Sequence, residues 1–277
     1  MTPKLPLVVL LLVTGLTSGA AAQTGSAASS SAKTPAPSDL PTVNPYRPTV
    51  TDPASLTAPG YLEMEIGGAD QHGGAGTHRA FSTPTVLKLT NLSRRLEYHI
   101  GYGGYLHQTG DDGTSATGSG DIVPGLQYLF TAQTPKTYDL AARIEYKIPA
   151  ATRNLGTGKT DYDLLLLASK DYNSTLHGDY NLGIYQLGRA SGRGFATQYQ
   201  ASAAFSTKLS DKLTLQDEVY AFSGSRETNT VVSTLHALGY QPARNLAFDA
   251  GIDIGLSHAA PKYTLLFGST FFVGKLF

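Results

Sequence analysis

The sequence predicts an all-β protein, a transmembrane antiparallel up-and-down β-barrel of about twelve strands that occupies residues 59–277. Three observations predict this fold. Apolar residues recur at every second position in many segments, a leader-like segment precedes them, and the chain closes on an amphipathic stretch ending in Phe277. After the leader, no segment approaches about 18 uninterrupted apolar residues, which excludes a helical membrane protein. A closed barrel is then the structure that satisfies the backbone in lipid.

The first 22 residues have the three parts of a secretory signal peptide. Lys4 supplies a positive charge, residues 5–16 are largely apolar, and Ala20 and Ala22 are small residues that suit signal peptidase. We expect cleavage before Gln23. The alternative is an N-terminal anchor, for which the apolar run is short because a helical span needs about 20 residues. The chain has no cysteine, which fits passage through an oxidising periplasm.

Residues 23–58 are rich in Ala, Ser, Thr and Pro and have almost no apolar periodicity. Such a composition buries too little apolar surface to fold by itself. The sequence therefore predicts a disordered periplasmic linker over 23–58, between the signal peptide at 1–22 and the barrel at 59–277.

The clearest strand covers residues 138–148. Its apolar face carries Tyr138, Leu140, Ala142, Ile144, Tyr146 and Ile148, and its other face is mostly charged. The aromatic residues near both ends match a strand that crosses lipid between two aromatic girdles. Similar alternation occurs at 95–102, 122–130 and 246–257. Weaker copies begin near residues 61, 83, 160, 176, 195, 213 and 231, and the last strand covers 263–277.

The connections between these strands alternate in length. The shorter set lies at 91–94, 131–137, 170–175, 206–212 and 241–245. The other set, whose earlier members are longer and richer in glycine, lies at 70–82, 107–118, 149–158, 188–194, 223–229 and 258–262. Outer-membrane barrels have short periplasmic turns and longer external loops. Both termini are therefore expected in the periplasm, which requires an even number of strands.

The last strand carries Phe267, Phe271, Val273 and Phe277 on one face. A terminal aromatic residue on an amphipathic strand resembles the signal that the barrel-assembly machinery reads. Lys275 departs from that signal, which usually has an apolar or aromatic residue two positions from the end. The alternative is the final strand of a soluble β-sandwich. The outer-membrane reading is favoured because apolar faces recur on nearly every strand while the opposite faces stay charged.

Several short motifs are similar to one known family. They are residues 118–121 with 125–128, Ile148-Pro149, 156–162, 181–183, and 249–251 with 255–256. From about residue 59 onward, the chain resembles the MetA (phenol meta-pathway degradation) family of bacterial outer-membrane transporters. The resemblance implies passage of small, often aromatic or hydrophobic, molecules across the outer membrane.

The charged faces of the strands are expected to point into the lumen. The pore-lining candidates are Asp139, Arg143, Glu145, Lys147, Asp161, Asp163, Asp179, Glu218, Asp249 and Asp253. These residues either line a narrow pore or form a salt-bridge network that plugs it. An open pore would favour cations because acidic residues outnumber basic ones. A hydrophobic ligand would need an apolar cleft, for which Leu165, Leu167 and Phe272 are the notable inward candidates.

Other site chemistry is weakly supported. Asp161 and Asp163 share a face and could hold a cation, although pairing with basic residues of the neighbouring strand is favoured. The seven histidines show no metal-binding spacing, and no metal or cofactor is expected. Residues 156–160 fail the phosphate-loop pattern because Arg153 stands where glycine is required. No basic tract suggests nucleic acid.

We therefore expect a passive outer-membrane channel for small molecules, whose partners are outer-membrane lipid and the barrel-assembly machinery. A non-conducting structural or adhesive surface barrel is the first alternative. An outer-membrane lipid hydrolase is the second, although His99 and His177 fall on inward faces and no serine pairs with them by spacing.

Overall fold

The computed structural model describes residues 40–190, 192–225 and 228–277. The predicted signal peptide, its cleavage residues Ala20, Ala22 and Gln23, and residues 23–39 lie outside the described residues. Within the described ranges the chain forms a 15-stranded antiparallel sheet in which β15 closes onto β1. The strands are β1 (Tyr61–His72), β2 (Thr77–Ser82), β3 (Thr85–Thr90), β4 (Leu96–Tyr102), β5 (Tyr105–Gly110), β6 (Ser115–Ser119), β7 (Ile122–Thr131), β8 (Asp139–Lys147), β9 (Asp161–Asp171), β10 (Leu176–Gly188), β11 (Phe195–Lys208), β12 (Leu213–Phe222), β13 (Val231–Ala243), β14 (Leu246–Gly255) and β15 (Tyr263–Lys275).

The barrel has 12 strand positions because three of them are interrupted. β2 and β3 both pair with β1, one above the other, and β5 and β6 continue β4 and β7 in the same way. The breaks fall at Pro84, Gly104 and Gly120. Gly104 has a φ of 54°, and a Cβ there would lie 2.3 Å from the Thr83 carbonyl oxygen. Only glycine suits that bend.

The alternation in the sequence becomes two contrasting barrel surfaces. On β8, Leu140, Ile144 and Tyr146 are exposed on the outside, whereas Arg143 and Lys147 are buried on the inside. This is the inverse of a soluble protein and is the arrangement of a lipid-embedded barrel. The predicted all-β barrel of about twelve antiparallel strands is confirmed.

Two predicted external loops are largely strand, which corrects the expectation for 70–82 and 107–118. β1 continues to His72 and turns through 73–76 into β2, while β5 and β6 form a second hairpin beside it. These extensions pass beyond the apolar belt, where both faces of a strand can be polar. They consequently lack the period-two hydrophobic signal on which the prediction depended.

Residues 40–58 contain neither helix nor strand, as their composition predicts, but they are not a disordered linker. They lie inside the barrel, where Ala54, Thr51 and Thr57 are almost completely buried. The prediction was wrong for this part of 23–58 because polar side chains of the barrel wall supply the contacts that the segment cannot make with itself. Among the residues described, no helix is long and apolar enough to cross a bilayer.

Candidate functional site

The segment inside the barrel enters and leaves at the end that carries the short turns. Near its start, the Val43 amide donates to the Arg244 carbonyl (2.8 Å). It rises to Arg47, which contacts Asp249 and the Phe267 carbonyl near the middle of β14 and β15. It then descends to Gly60, just before β1. We call residues 42–58 the plug, because they fill the half of the lumen at the end that carries the short turns.

Carboxylates of the barrel wall bind the plug backbone. Glu63 accepts from the Asn44 amide (2.9 Å), and Glu65 accepts from the amides of Tyr46 (2.7 Å) and Arg47 (3.1 Å). Across the lumen, Glu218 of β12 accepts from Val50 (2.9 Å) and Thr51 (2.5 Å). On β4, two strands from β1, Glu97 accepts from Thr57 (2.7 Å). A buried irregular segment needs partners for its amides, and ionised acceptors form the stronger hydrogen bonds.

Ion pairs reinforce this attachment. Arg143 binds Asp52 of the plug at 2.5 Å and donates to Gln127, while Arg47 of the plug binds Asp249 at 3.3 Å. Burial raises the pKa of Asp52 to about 6, and the Arg143 guanidinium opposes that rise. The docked plug therefore holds a carboxyl group that is easier to protonate than one in water.

A buried lysine forms the second anchor. The Lys88 ammonium lies 2.7 Å from Glu63 and 2.5 Å from Glu65, and it also donates to the Asn44 carbonyl. It sits 3.7 Å from the centre of the Tyr46 ring, whose hydroxyl donates to Glu97. Lys88 thus neutralises carboxylates that bind the plug and touches the plug itself.

The inward apolar residues named from the sequence contact the chain rather than an open cleft. Leu165 and Leu167 pack with Ala141 against Ala54 of the plug. The Phe272 ring lies 5.1 Å from that of Tyr61 at the start of β1. These inward candidates therefore contact the plug or the barrel end and do not line an apolar cleft for a ligand.

A cavity of about 580 Å³ occupies the outer half of the lumen. Its floor is the top of the plug, around Tyr46, Thr49 and Val50. We call this cavity the vestibule. Its apolar wall is formed by Val86, Val123, Tyr185, Leu187, Phe222 and Val231. Sequence reasoning missed this wall, although each residue stands at an inward position of its strand.

All ten pore-lining candidates lie on the inner face of the barrel, and their role in lining a pore stays a prediction. Arg143, Glu145, Lys147, Asp161 and Asp163 line the vestibule. Glu218 and Asp249 bind the plug. The remaining three, Asp139, Asp179 and Asp253, are buried elsewhere in the inner wall. Asp161 forms an ion pair with Lys147 of the neighbouring strand, which is the pairing that the sequence favoured over a cation site.

The two inward histidines are engaged by carboxylates. His99 Nε2 lies 2.8 Å from Glu145, and its ring crosses Gly125, where a Cβ would lie 2.1 Å from Nε2. His177 lies between Asp171 (2.7 Å) and Asp179 (3.1 Å). In the part of the chain that the structure describes, no cluster of three or more His, Asp or Glu could hold a metal ion.

The predicted assembly residues lie on the outward face of the last strand and at the chain end. Phe267, Val273 and Phe277 are exposed, and Phe271 is half-buried. Their recognition by the assembly machinery stays a prediction.

Solved structures share this architecture. The COG4313 outer-membrane channel from Pseudomonas putida F1 matches with a TM-score of 0.63 and 12% identity, over 78% of this chain and 97% of that one. The chain has the fold of an outer-membrane β-barrel. The KdgM porin (TM-score 0.53, 7% identity, 76% of this chain and 98% of that one) and the NanC porin (0.52, 11%, 76% and 98%) are also similar. No family model matches the sequence, and no curated protein matches it.

Proposed function

We propose that the protein is a passive channel of the bacterial outer membrane for small molecules, held closed by its own plug. The observation that carries this proposal is the division of the lumen. The outer half is a vestibule of about 580 Å³, and its floor is an irregular segment of the same chain rather than the barrel wall. Displacement of residues 42–58 would join the vestibule to the periplasm.

The plug is attached in a way that permits release. Its amides bind side chains of the wall, and barrel closure depends on a separate ladder in which β1 pairs with β15 from Tyr61 to His72. Release would break hydrogen bonds and ion pairs that water can replace, without opening the sheet. The wall carboxylates then become the lining of the conduit.

Deletion of the plug tests the proposal. The mature chain should show little current in planar bilayers, and a variant lacking residues 40–58 should open stable single channels. A variant lacking residues 23–39 is the matched control because it keeps the plug, and it should conduct like the full chain. Heat-modifiable gel mobility would establish that each variant forms a closed barrel.

A folded barrel that stays silent after the deletion would contradict the channel and favour a non-conducting surface barrel. An outer-membrane lipid hydrolase is the less favoured function, because both inward histidines are bound to carboxylates inside the lumen. Membership of the MetA family, and cargo of the aromatic or hydrophobic kind that it implies, belong to this proposal. The apolar wall of the vestibule supports such cargo.

A further inference from the structure

In the described part of the chain, one carboxylate of the vestibule, that of Asp163, has no ion-pair partner within 4 Å. The cations around it are each engaged: Arg47 binds Asp249, Arg143 binds Asp52, and Lys147 binds Asp161. Glu65 is paired with Lys88, and Glu145 with His99. Among the described residues, none donates a hydrogen bond to the buried Oδ1 of Asp163. A buried carboxylate without a donor is costly and is readily neutralised by a proton, so a ligand that supplies positive charge would compete with that proton and be stabilised there.

Asp163 stands beside an aromatic surface. In the sheet it is directly opposite Glu145 of β8 and Tyr185 of β10. The Tyr185 ring packs edge-on against Phe222, with ring centres 5.7 Å apart, and both rings line the same vestibule. Two carboxylates and an aromatic pair thus face one space. Aromatic faces and carboxylates both attract organic cations.

We propose that the vestibule binds small organic cations, with an ammonium group at Asp163 and an apolar or aromatic body against Tyr185 and Phe222. This deepens the proposed function by naming a substrate class for the channel. The volume of about 580 Å³ is within the range of small-ligand sites. A neutral aromatic molecule would gain the apolar contacts alone, and an anion would be repelled by the carboxylate.

Three probes with similar bodies separate these contributions: phenethylammonium, 2-phenylethanol and 3-phenylpropionate. Calorimetry on the purified mature protein should show the ammonium binding about tenfold or more tightly than the alcohol, and the carboxylate most weakly. In Asp163→Asn, the ammonium and the alcohol should bind within about twofold of each other. Asp211→Asn, in an exposed turn at the periplasmic end, is the matched control and should keep the preference.

A second variant tests the aromatic surface. Phe222→Ala should weaken the ammonium and the alcohol by similar factors and keep their ratio. Equal binding of the ammonium and the alcohol to the wild type, or an unchanged preference in Asp163→Asn, would overturn the cation site. Calorimetry measures binding without any current, so the cation site and the channel are tested separately. If the protein binds the ammonium but conducts no current after plug deletion, the channel proposal is refuted and the cation site stands.

A different observation concerns the lipid-facing surface. Asp217 and His236 face outward and are directly opposite each other on β12 and β13, with Nδ1 2.7 Å from the carboxylate. Asp217 is the central outward residue of β12, between Leu215 and Val219, and His236 is one of the two central outward residues of β13, between Thr234 and Leu238. Their side chains are 47% and 49% exposed. Among the described strands of the 12-position barrel, no other His or charged residue takes such a central outward position, and the outward Arg79 and His107 lie on the extensions β2 and β5.

Ionisable groups at mid-membrane depth are costly and mark functional contacts. Within the described residues, the second oxygen of Asp217 and Nε2 of His236 have no hydrogen-bond partner. We infer that a second copy of this chain covers the pair. Rotation about a two-fold axis would place each imidazole ring against the carboxylate of the other copy, and such a patch is complementary to itself.

Cysteine cross-linking in vesicles tests this dimer, because the chain has no native cysteine. Leu238→Cys, beside His236, should give a cross-linked dimer, whereas Ile144→Cys on β8 should not, although both positions are exposed on the outer surface. Replacement of both ionisable residues by leucine should lower the Leu238→Cys dimer about tenfold. Equal cross-linking at the two positions, or an undiminished dimer after the replacement, would overturn the interface. Phospholipid hydrolysis that His236→Leu abolishes would also overturn it, in favour of an enzyme on the outer wall.

Discussion

Single carboxylates decide how the lumen is filled. Glu65 and Glu218 each accept hydrogen bonds from two consecutive backbone amides of the plug. Without these carboxylates, the amides would need a neighbouring strand as hydrogen-bond partner. Such acceptors fix an irregular segment without extending the sheet. The same residues would be ordinary lumen charges if the segment were absent, and this is why the sequence could identify their inward faces but not their partner.

Asp52 makes attachment of the plug depend on pH. The pKa of Asp52 is raised from 3.8 to about 6 in the docked state, mainly by burial. The positive charges of Arg143 and His99 oppose this rise, and the carboxylates of Glu145 and Glu65 add to it. Between pH 3.8 and about pH 6, docking of the plug is therefore accompanied by protonation of Asp52. Above about pH 6 burial of the ionised Asp52 makes docking less favourable, and this free-energy cost falls as the pH is lowered. Opening should therefore decrease from about pH 7.5 to about pH 5, by up to about tenfold through this group.

Single-channel recordings of the mature chain at both pH values provide the measurement. Asp52→Asn removes the titrating group, so its opening should lack this component of the pH response. Other lumenal carboxylates titrate in both proteins, and the difference between the two isolates Asp52. An identical pH response in Asp52→Asn would refute its role.

At the level of elements, the sequence located the barrel strands well because lipid imposes a strict alternation. The predicted starts near 61, 95, 122, 176, 195, 213, 231, 246 and 263 lie within about one residue of the observed strands. The extensions in β2, β5 and β6 were missed because no lipid imposes alternation outside the belt. The plug was missed because its contacts come from residues far away in the chain, such as Glu218 and Asn181.

One row of residues across three strands depends on a glycine. On β7, Gly125 leaves room for the His99 ring of β4 to reach Glu145 of β8. Gly125→Ala should displace the ring and destabilise the barrel by about 1–3 kcal/mol, the usual cost of overpacking. The temperature at which gel mobility changes reports this loss. Gly239→Ala is a control, because its Cβ would lie 3.8 Å from the nearest atom.

The double variant Gly125→Ala with His99→Ala should lose less stability than the sum of the losses in the two single variants, because removal of the His99 ring also removes the clash with the methyl group of the introduced alanine. Additive losses would show that the glycine acts through something other than His99.

For the whole molecule, closure and occlusion are separate properties. The β1–β15 ladder closes the sheet, and the plug occupies the space that the sheet encloses. Because the plug adds no strand to the closed sheet, the composition of residues 40–58 could predict that they lack secondary structure. It gave no sign that they lie inside the barrel. It also means that the lining can be examined in a barrel without the plug.

Removal of the plug would expose an acidic lining, because Glu63, Glu65, Glu97, Glu218 and Asp249 lose the groups that they bind there. The variant lacking residues 40–58 should therefore prefer cations. Arg143→Glu in that background should raise the ratio of cation to anion permeability roughly twofold or more, measured as reversal potential in a salt gradient. Asp52 is absent there, so the new carboxylate does not face the old one. Lys212→Glu, in an exposed periplasmic turn, is the control and should change the ratio little. An unchanged ratio in the Arg143 variant would mean that permeating ions do not pass this residue, and that the conduit lies elsewhere.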